Sequence, residues 1–152
     1  MSKSGCPVGT SRRATPQDID RLEACRHAAI AACPGYDAAQ RQVWLAAEPN
    51  WSTLVHDTLL VQVDDHIVGF CVATPSELGY LYVHPNYQRQ GVAHFLVSEV
   101  EQPGMRCDCN AFSARLLQSR GWEPVAPNRK KRNGVVFENT WFEFTGGTKA
   151  SR

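Results

Sequence analysis

Leu81-Tyr82-Val83-His84-Pro85-Asn86-Tyr87-Gln88-Arg89-Gln90-Gly91-Val92-Ala93 is the stretch on which the reading of this chain turns. Leu81, Tyr82 and Val83 are strand formers, and His84-Pro85-Asn86 ends the strand because proline cannot donate to a ladder. From Gln88 the pattern changes to that of an amphipathic helix, with Val92, Phe95, Leu96 and Val100 at helical spacing. Gly91 and Ala93 are small, so a ligand can approach the backbone there closely. A helix N-terminus leaves about four amide N–H groups unpaired and carries partial positive charge, which suits a phosphate. The stretch predicts a phosphate cradle directly after a strand.

Working outward, Thr58 to Val63 and Ile67 to Ala73 read as a hairpin around Asp64-Asp65-His66, and Thr74-Pro75-Ser76 turns the chain into a strand over Glu77 to Val83. Downstream, the cradle's helix stops at Pro103-Gly104. Met105 to Cys109 reads as a strand, Asn110 to Arg120 as a helix, and Glu123 to Thr145 as two closing strands. Upstream, a short strand near Arg12 to Ala14 meets Thr15, a good N-cap, with Pro16 in the first helical position and Asp18 completing the cap. Ile19, Leu22, Ala29, Ile30 and Cys33 supply the buried stripe of a helix that Pro34-Gly35 ends. Asp37 caps a second helix running through Ala47. Residues 1–9 and 146–152 read as flexible tails around one domain, 10–145. The pattern is α/β, of the α+β type, around a mixed and mostly antiparallel sheet.

At 152 residues one domain is expected, long enough to bury about 68–70% of its unfolded surface. Hydrophobic residues make up 43% and charged residues 20%, a globular composition. The net charge of +1 gives no field that would draw nucleic acid or an anionic membrane. The basic run Arg129-Lys130-Lys131-Arg132 lies between two expected strands, either as a solvated hairpin approach or as a contact for phosphates or an acidic substrate. No apolar run approaches the roughly 18 residues that span a bilayer, and the N-terminus has no signal core, so a soluble cytoplasmic protein is expected. Six cysteines spread over helices and strands fit a reducing compartment. Cys107-Asp108-Cys109, with His84 or His94, would be the only metal candidate, but it lacks the two-residue cysteine spacing of zinc sites, and no metal is expected.

Gln88, Gly91 and Ala93 resemble the coenzyme A loop of the GNAT superfamily of N-acetyltransferases, and Val83-His84-Pro85 resembles that family's strand exit. Asn110, followed eleven residues later by Gly121-Trp122, resembles its next strand-to-helix segment. Arg132-Asn133-Gly134-Val135 running to Phe144 resembles its closing strands, and Arg12 to Asp18 its first strand and helix entry. The resemblance spans nearly the whole chain in the right order. It implies a GNAT fold with about four helices flanking the sheet, acetyl-CoA as cosubstrate, and a primary amine on a small molecule or peptide as acceptor. Attack would be direct, within a ternary complex, and homodimers are frequent among such proteins. The coenzyme would meet Leu81, Tyr82 and Val83 through the strand backbone, then Gln88, Arg89, Gln90, Gly91, Val92, Ala93 and His94 at the pyrophosphate. Asn110, Ser113 and Leu117 would border it from the following helix.

Acetyl transfer from a thioester needs a neutral amine, a polarised carbonyl and a departing thiol. Strand parity places Glu77, Gly79, Leu81 and Val83 on one face, which makes Glu77 the first candidate base; an exposed strand-start glutamate is the alternative. His84 competes, since imidazole titrates near neutrality, though a turn-capping histidine is the plainer reading. Trp44 and Tyr80 are candidate acceptor contacts, against the alternative that Trp44, Trp51, Tyr80 and Tyr82 simply pack helices on the sheet. Leu117 stands where many GNAT enzymes carry the tyrosine that protonates the leaving thiolate. It cannot donate a proton, and Ser113 or Ser119 would have to order a water instead. A coenzyme-binding sensor with weak catalysis is therefore the rival reading. Acetylation of transfer RNA would need a basic face that this composition lacks.

Overall fold

Strand formers alternate along Thr58–Val63 (β2) and His66–Ala73 (β3), and the two segments pair antiparallel across Asp64-Asp65, with Asp64 left-handed at φ 53°. β1 (Thr10–Arg13) adds to the outer edge of β2, and β4 (Leu78–Val83) to β3, giving the order β1-β2-β3-β4. A second antiparallel sheet has the order β5-β7-β6, from Arg106–Cys109, Val135–Phe144 and Trp122–Arg132. The computed structural model describes residue 6 and residues 8–146. Most of the two expected tails lies outside the described residues. Cys6 and Val8 are partly buried against the core, so ordered packing begins before residue 10.

Helices cover both faces. α1 (Ile19–Ala32), α2 (Ala38–Ala46) and the short α3 (Trp51–Leu54) accompany one face; α4 (Val92–Val100) and α5 (Ala111–Ser119) accompany the other. Among the described residues five α-helices stand where about four were expected, the additional one being the single turn at Trp51. Leu22, Cys25, Trp51, Leu60, Phe70 and Val72 form the core under α1 and α3. Val61, Cys71, Leu78, Val92, Leu96, Met105, Leu117 and Trp122 belong to the core under α4 and α5.

Local chemistry fixes the ends as the sequence predicts. The Thr15 amide donates to Asp18 Oδ2 at 2.7 Å, and Asp18, 1% exposed, also accepts from both Arg12 terminal nitrogens and from Arg21, each at 2.8 Å. Those bonds hold the Asp18 carboxyl far below its usual range, chiefly through Arg12. Asp37 accepts from the Gln40 amide at 2.8 Å to start α2. Arg26, 2% exposed, reaches from α1 to the last carbonyls of α2, donating to Trp44 O and Ala47 O at 2.9 Å each, while Glu23 pairs its Nε at 2.7 Å. A buried guanidinium is tolerable because each of its three nitrogens is bonded, and a cation suits a helix C-terminus.

Two expectations change. The basic run Arg129–Arg132, expected between two strands, instead forms the last four residues of β6; the turn into β7 is Asn133-Gly134, with φ 51° and 79°, the pattern of a two-residue hairpin. On β4 the register shifts, Val72 facing Tyr80 and Ala73 facing Leu78, so Gly79 is an extra residue in a bulge. Leu78 therefore shares the α4 and α5 side with Leu81 and Val83, while Tyr80 and Tyr82 pack on the α1 side. The expected face of Glu77, Gly79, Leu81 and Val83 is broken at that bulge.

Candidate active site

β4 and β5 are the facing edges of the two sheets, and they touch at a single parallel bridge, Glu77 to Arg106, where the Arg106 amide donates to Ser76 O at 3.0 Å. Beyond it they diverge. The His84 amide donates to Val68 O at 2.8 Å, which makes 84 and 68 a hydrogen-bonded pair of the β3–β4 ladder. Alternation then leaves the N–H and C=O groups of Leu81 and Val83 facing away from β3, into the gap between the sheets. Backbone polar groups in that position are available to a ligand.

The gap opens at its far end onto the loop from Pro85 to Gly91. His84 Nδ1 accepts the Asn86 amide at 3.1 Å and its ring meets Tyr87 edge-on at 6.2 Å, so the imidazole caps the turn. Gln88 Nε2 donates to Val83 O at 3.4 Å and ties the loop to the strand end. Arg89 at φ 62° and Gly91 at φ 85° turn the chain so that α4 starts at Val92 with its first amides toward the gap. No acidic residue sits in that first turn. Val92 is anchored beneath: a Cβ on Gly69 of β3 would lie 2.7 Å from Val92 Cγ1, so glycine at 69 lets α4 sit against the sheet.

A cavity of about 390 Å³ joins these parts. Leu81, Tyr82, Val83, Gln88, Arg89, Gly91, Val92, Ala93 and His94 line it, as do Tyr80, Asn110, Ser113 and Leu117. Asn110 Oδ1 caps α5 by accepting the Ser113 amide at 2.9 Å, and Leu117 is fully buried at the cavity wall, an apolar side chain without a proton to give. Of the residues singled out in the sequence, Glu77, His84, Gln90 and Trp44 do not line the cavity. Glu77 is exposed ahead of the bulge. Gln90 turns back to Asn86 O. Trp44 lies against Phe137 with ring centroids 5.2 Å apart, and Trp51 is buried with its indole N–H on Glu23 at 2.8 Å.

Several further residues line the cavity beyond those expected at a coenzyme or acceptor site. Cys33, Pro34 and Tyr36 come from the α1–α2 connection, Phe112 from the start of α5, and Cys107 and Asp108 from β5. Gly35 permits the connection to approach α5, since a Cβ there would lie 3.0 Å from Phe112 Cβ. Burial pushes the Tyr36 hydroxyl up to about 12, the Cys33 thiol and Asp108 adding to it while Asn110 and Trp44 oppose. The Cys107 thiol is held well above its usual range by Cys109 and by burial. Among the described residues no group of three His, Cys, Asp or Glu side chains is placed to hold a metal, and no helix is long and apolar enough to cross a membrane.

Comparison with known proteins agrees with this geometry. A model of the acetyltransferase (GNAT) domain matches residues 55–124, from just before β2 to the start of β6. A GCN5-related N-acetyltransferase from Rhodopseudomonas palustris is 22% identical, with 91% of this chain and 96% of that chain covered and a TM-score of 0.80. The ribosomal-protein-alanine N-acetyltransferase of Brucella melitensis is 18% identical over 90% of this chain and 99% of its own, TM-score 0.65. The PaiA N-acetyltransferase of Thermoplasma acidophilum, solved in complex with coenzyme A, is 14% identical over 90% and 98%, TM-score 0.63. No curated protein matches by sequence. The two split sheets, the bulged strand and the glycine-turned helix start define a GNAT fold. Its central residues, 55–124, match the acetyltransferase (GNAT) domain, and its fold is that of the GNAT N-acetyltransferases.

Proposed function

We propose that the protein transfers an acetyl group from acetyl-CoA to a primary amine of a small molecule or peptide, by direct attack within a ternary complex. The observation that carries this reading is the single cavity running from the α4 N-terminus, through the β4–β5 gap, to the α1–α2 connection. The first end suits a pyrophosphate: unpaired helix amides, a left-handed glycine, and Arg89 and His94 on the lining. The gap suits a pantetheine arm, whose amides can pair with the outward backbone groups of Leu81 and Val83, and the same N–H groups can polarise a thioester carbonyl. The third end is open to an acceptor approaching from the α1 side.

Acetyl-CoA supplies the activated acetyl group. This chain's residues bind it, hold its carbonyl against the β4 amides and keep the acceptor beside it. Neither Glu77 nor His84 lines the cavity, and we assign them no step. With leucine at 117, the thiolate leaves without a side-chain acid at that position, which a thiol of pKa about 8.5 allows. All six cysteines are unpaired, which supports a reducing, cytoplasmic setting. The test is release of free thiol from acetyl-CoA over a panel of primary amines, with the acetylated product identified by mass. Amine-dependent release supports an enzyme; coenzyme binding without release supports the sensor reading.

A further inference from the structure

We infer that Asp108 is the acceptor-binding residue, and that the acceptor is a primary amine carrying one positive charge on an apolar or aromatic body. The inference rests on the acetyltransferase reading above and deepens it. Asp108 alternates along β5 with Cys107 and Cys109, which pack toward α4 and α5, so its carboxylate projects to the opposite side, that of α1 and α2. Oδ2 accepts from Lys130 Nζ at 2.5 Å, whereas Oδ1 is buried and has no partner. Leaving a buried carboxylate oxygen unpaired costs free energy that a bound N–H donor recovers. Among the described residues Asp108 is the one carboxylate that lines the cavity.

Its surroundings define the body of the ligand. Tyr36, Tyr80, Phe112 and Cys33 line the same cavity and offer apolar and aromatic surface with no second anion. A polycation would bring charges that nothing there balances, whereas a single ammonium on a hydrophobic group satisfies both features; it gives one proton to solvent before its nitrogen, still hydrogen-bonded to Asp108, attacks the thioester carbonyl. Lys130 tunes the site. Its ammonium lies between Asp108 and the Trp44 ring, 5.5 Å from the ring centroid, and Arg132 covers the same ring at 5.1 Å. It orients Asp108 but competes with an incoming ammonium for its charge.

Steady-state thiol release from acetyl-CoA, with 2-phenylethylamine and with spermidine, tests this. We expect kcat/KM at least tenfold higher for 2-phenylethylamine. Asp108→Asn should raise its KM at least tenfold while leaving the KM for acetyl-CoA within twofold. Lys130→Met should lower the KM for 2-phenylethylamine severalfold, a direction that loss of a purely structural ion pair would not produce. Protection from thermal unfolding by acetyl-CoA shows that each variant is folded. An unchanged KM in Asp108→Asn, a raised one in Lys130→Met, or a wild type that binds acetyl-CoA yet prefers spermidine or ignores 2-phenylethylamine overturns the inference alone. A wild type that fails to bind acetyl-CoA overturns the acetyltransferase reading and this inference with it.

Discussion

Gly91→Val should separate the strain of the cradle from its binding function. Gly91 sits at φ 85° and ψ 5° at the start of α4, a left-handed conformation that a β-branched residue enters at a cost of about 1–3 kcal/mol. If the loop keeps its shape, that cost appears as lost stability, about 2–12 °C in Tm at roughly 2–4 °C per kcal/mol for a chain of this size. If the loop relaxes instead, the first amides of α4 turn from the gap. One lost hydrogen bond to a charged phosphate is worth about 1.5–3 kcal/mol, or roughly 10- to 150-fold in Kd. Gly104→Val is the matched control. Gly104 is equally left-handed at φ 90°, and a Cβ there meets nothing within 4 Å, so it carries comparable strain away from the cradle. Calorimetric titration of coenzyme A into both variants, beside thermal unfolding, reads the two effects separately. Both variants should lose stability, and only Gly91→Val should lose at least tenfold in affinity. Coenzyme binding by Gly91→Val within twofold of the wild type would refute the role given to this turn.

Gly69→Ala places a methyl 2.7 Å from Val92 Cγ1 and 3.3 Å from Tyr82 O, so α4 must lift from the sheet; urea unfolding should show a loss of about 1–3 kcal/mol, together with weaker coenzyme binding. Asp18→Asn should cost about 1.5–3 kcal/mol in the same assay, because it removes the buried carboxylate that Arg12, Arg21 and the Thr15 amide share, while the two arginines keep access to solvent. Since folding lowers the Asp18 pKa, its stabilisation is complete above the unfolded value of about 4 and declines as pH falls from there toward the folded value; the wild type should weaken over that window and Asp18→Asn much less. Burial pushes the Cys25 and Cys71 thiols to about 12, so mass spectrometry should find both unmodified after iodoacetamide treatment of the native protein at pH 8. Labelling of either at the rate of an exposed thiol would contradict their burial.

The features legible in the sequence are those whose physics is local. The strand exit at His84-Pro85, the helix restart at Gly91, the caps at Thr15 and Asp37, and the hairpin at Asp64-Asp65 are each determined by neighbours in the chain. Glu77 was misplaced because alternation assumes an unbroken ladder. One extra residue at Gly79 reverses every side chain before it, and a lone glycine does not distinguish a bulge from an ordinary strand position. Asp108 lay hidden between two cysteines that drew attention to metal binding. Its meaning depends on Lys130, 22 residues away, and on a neighbour strand that only the closed sheet supplies. The basic run looked like a solvated approach because the alternation of β6, in which Lys130 and Arg132 point toward Trp44, is masked by four consecutive charges.

The most direct measurement is thermal unfolding of the wild type with and without saturating acetyl-CoA. At about 100 times its dissociation constant the ligand adds roughly 2.7 kcal/mol, which corresponds to about 5–11 °C here. The account predicts that rise. An unchanged Tm at millimolar acetyl-CoA would contradict it, since a cradle and gap built as described cannot leave the coenzyme unbound.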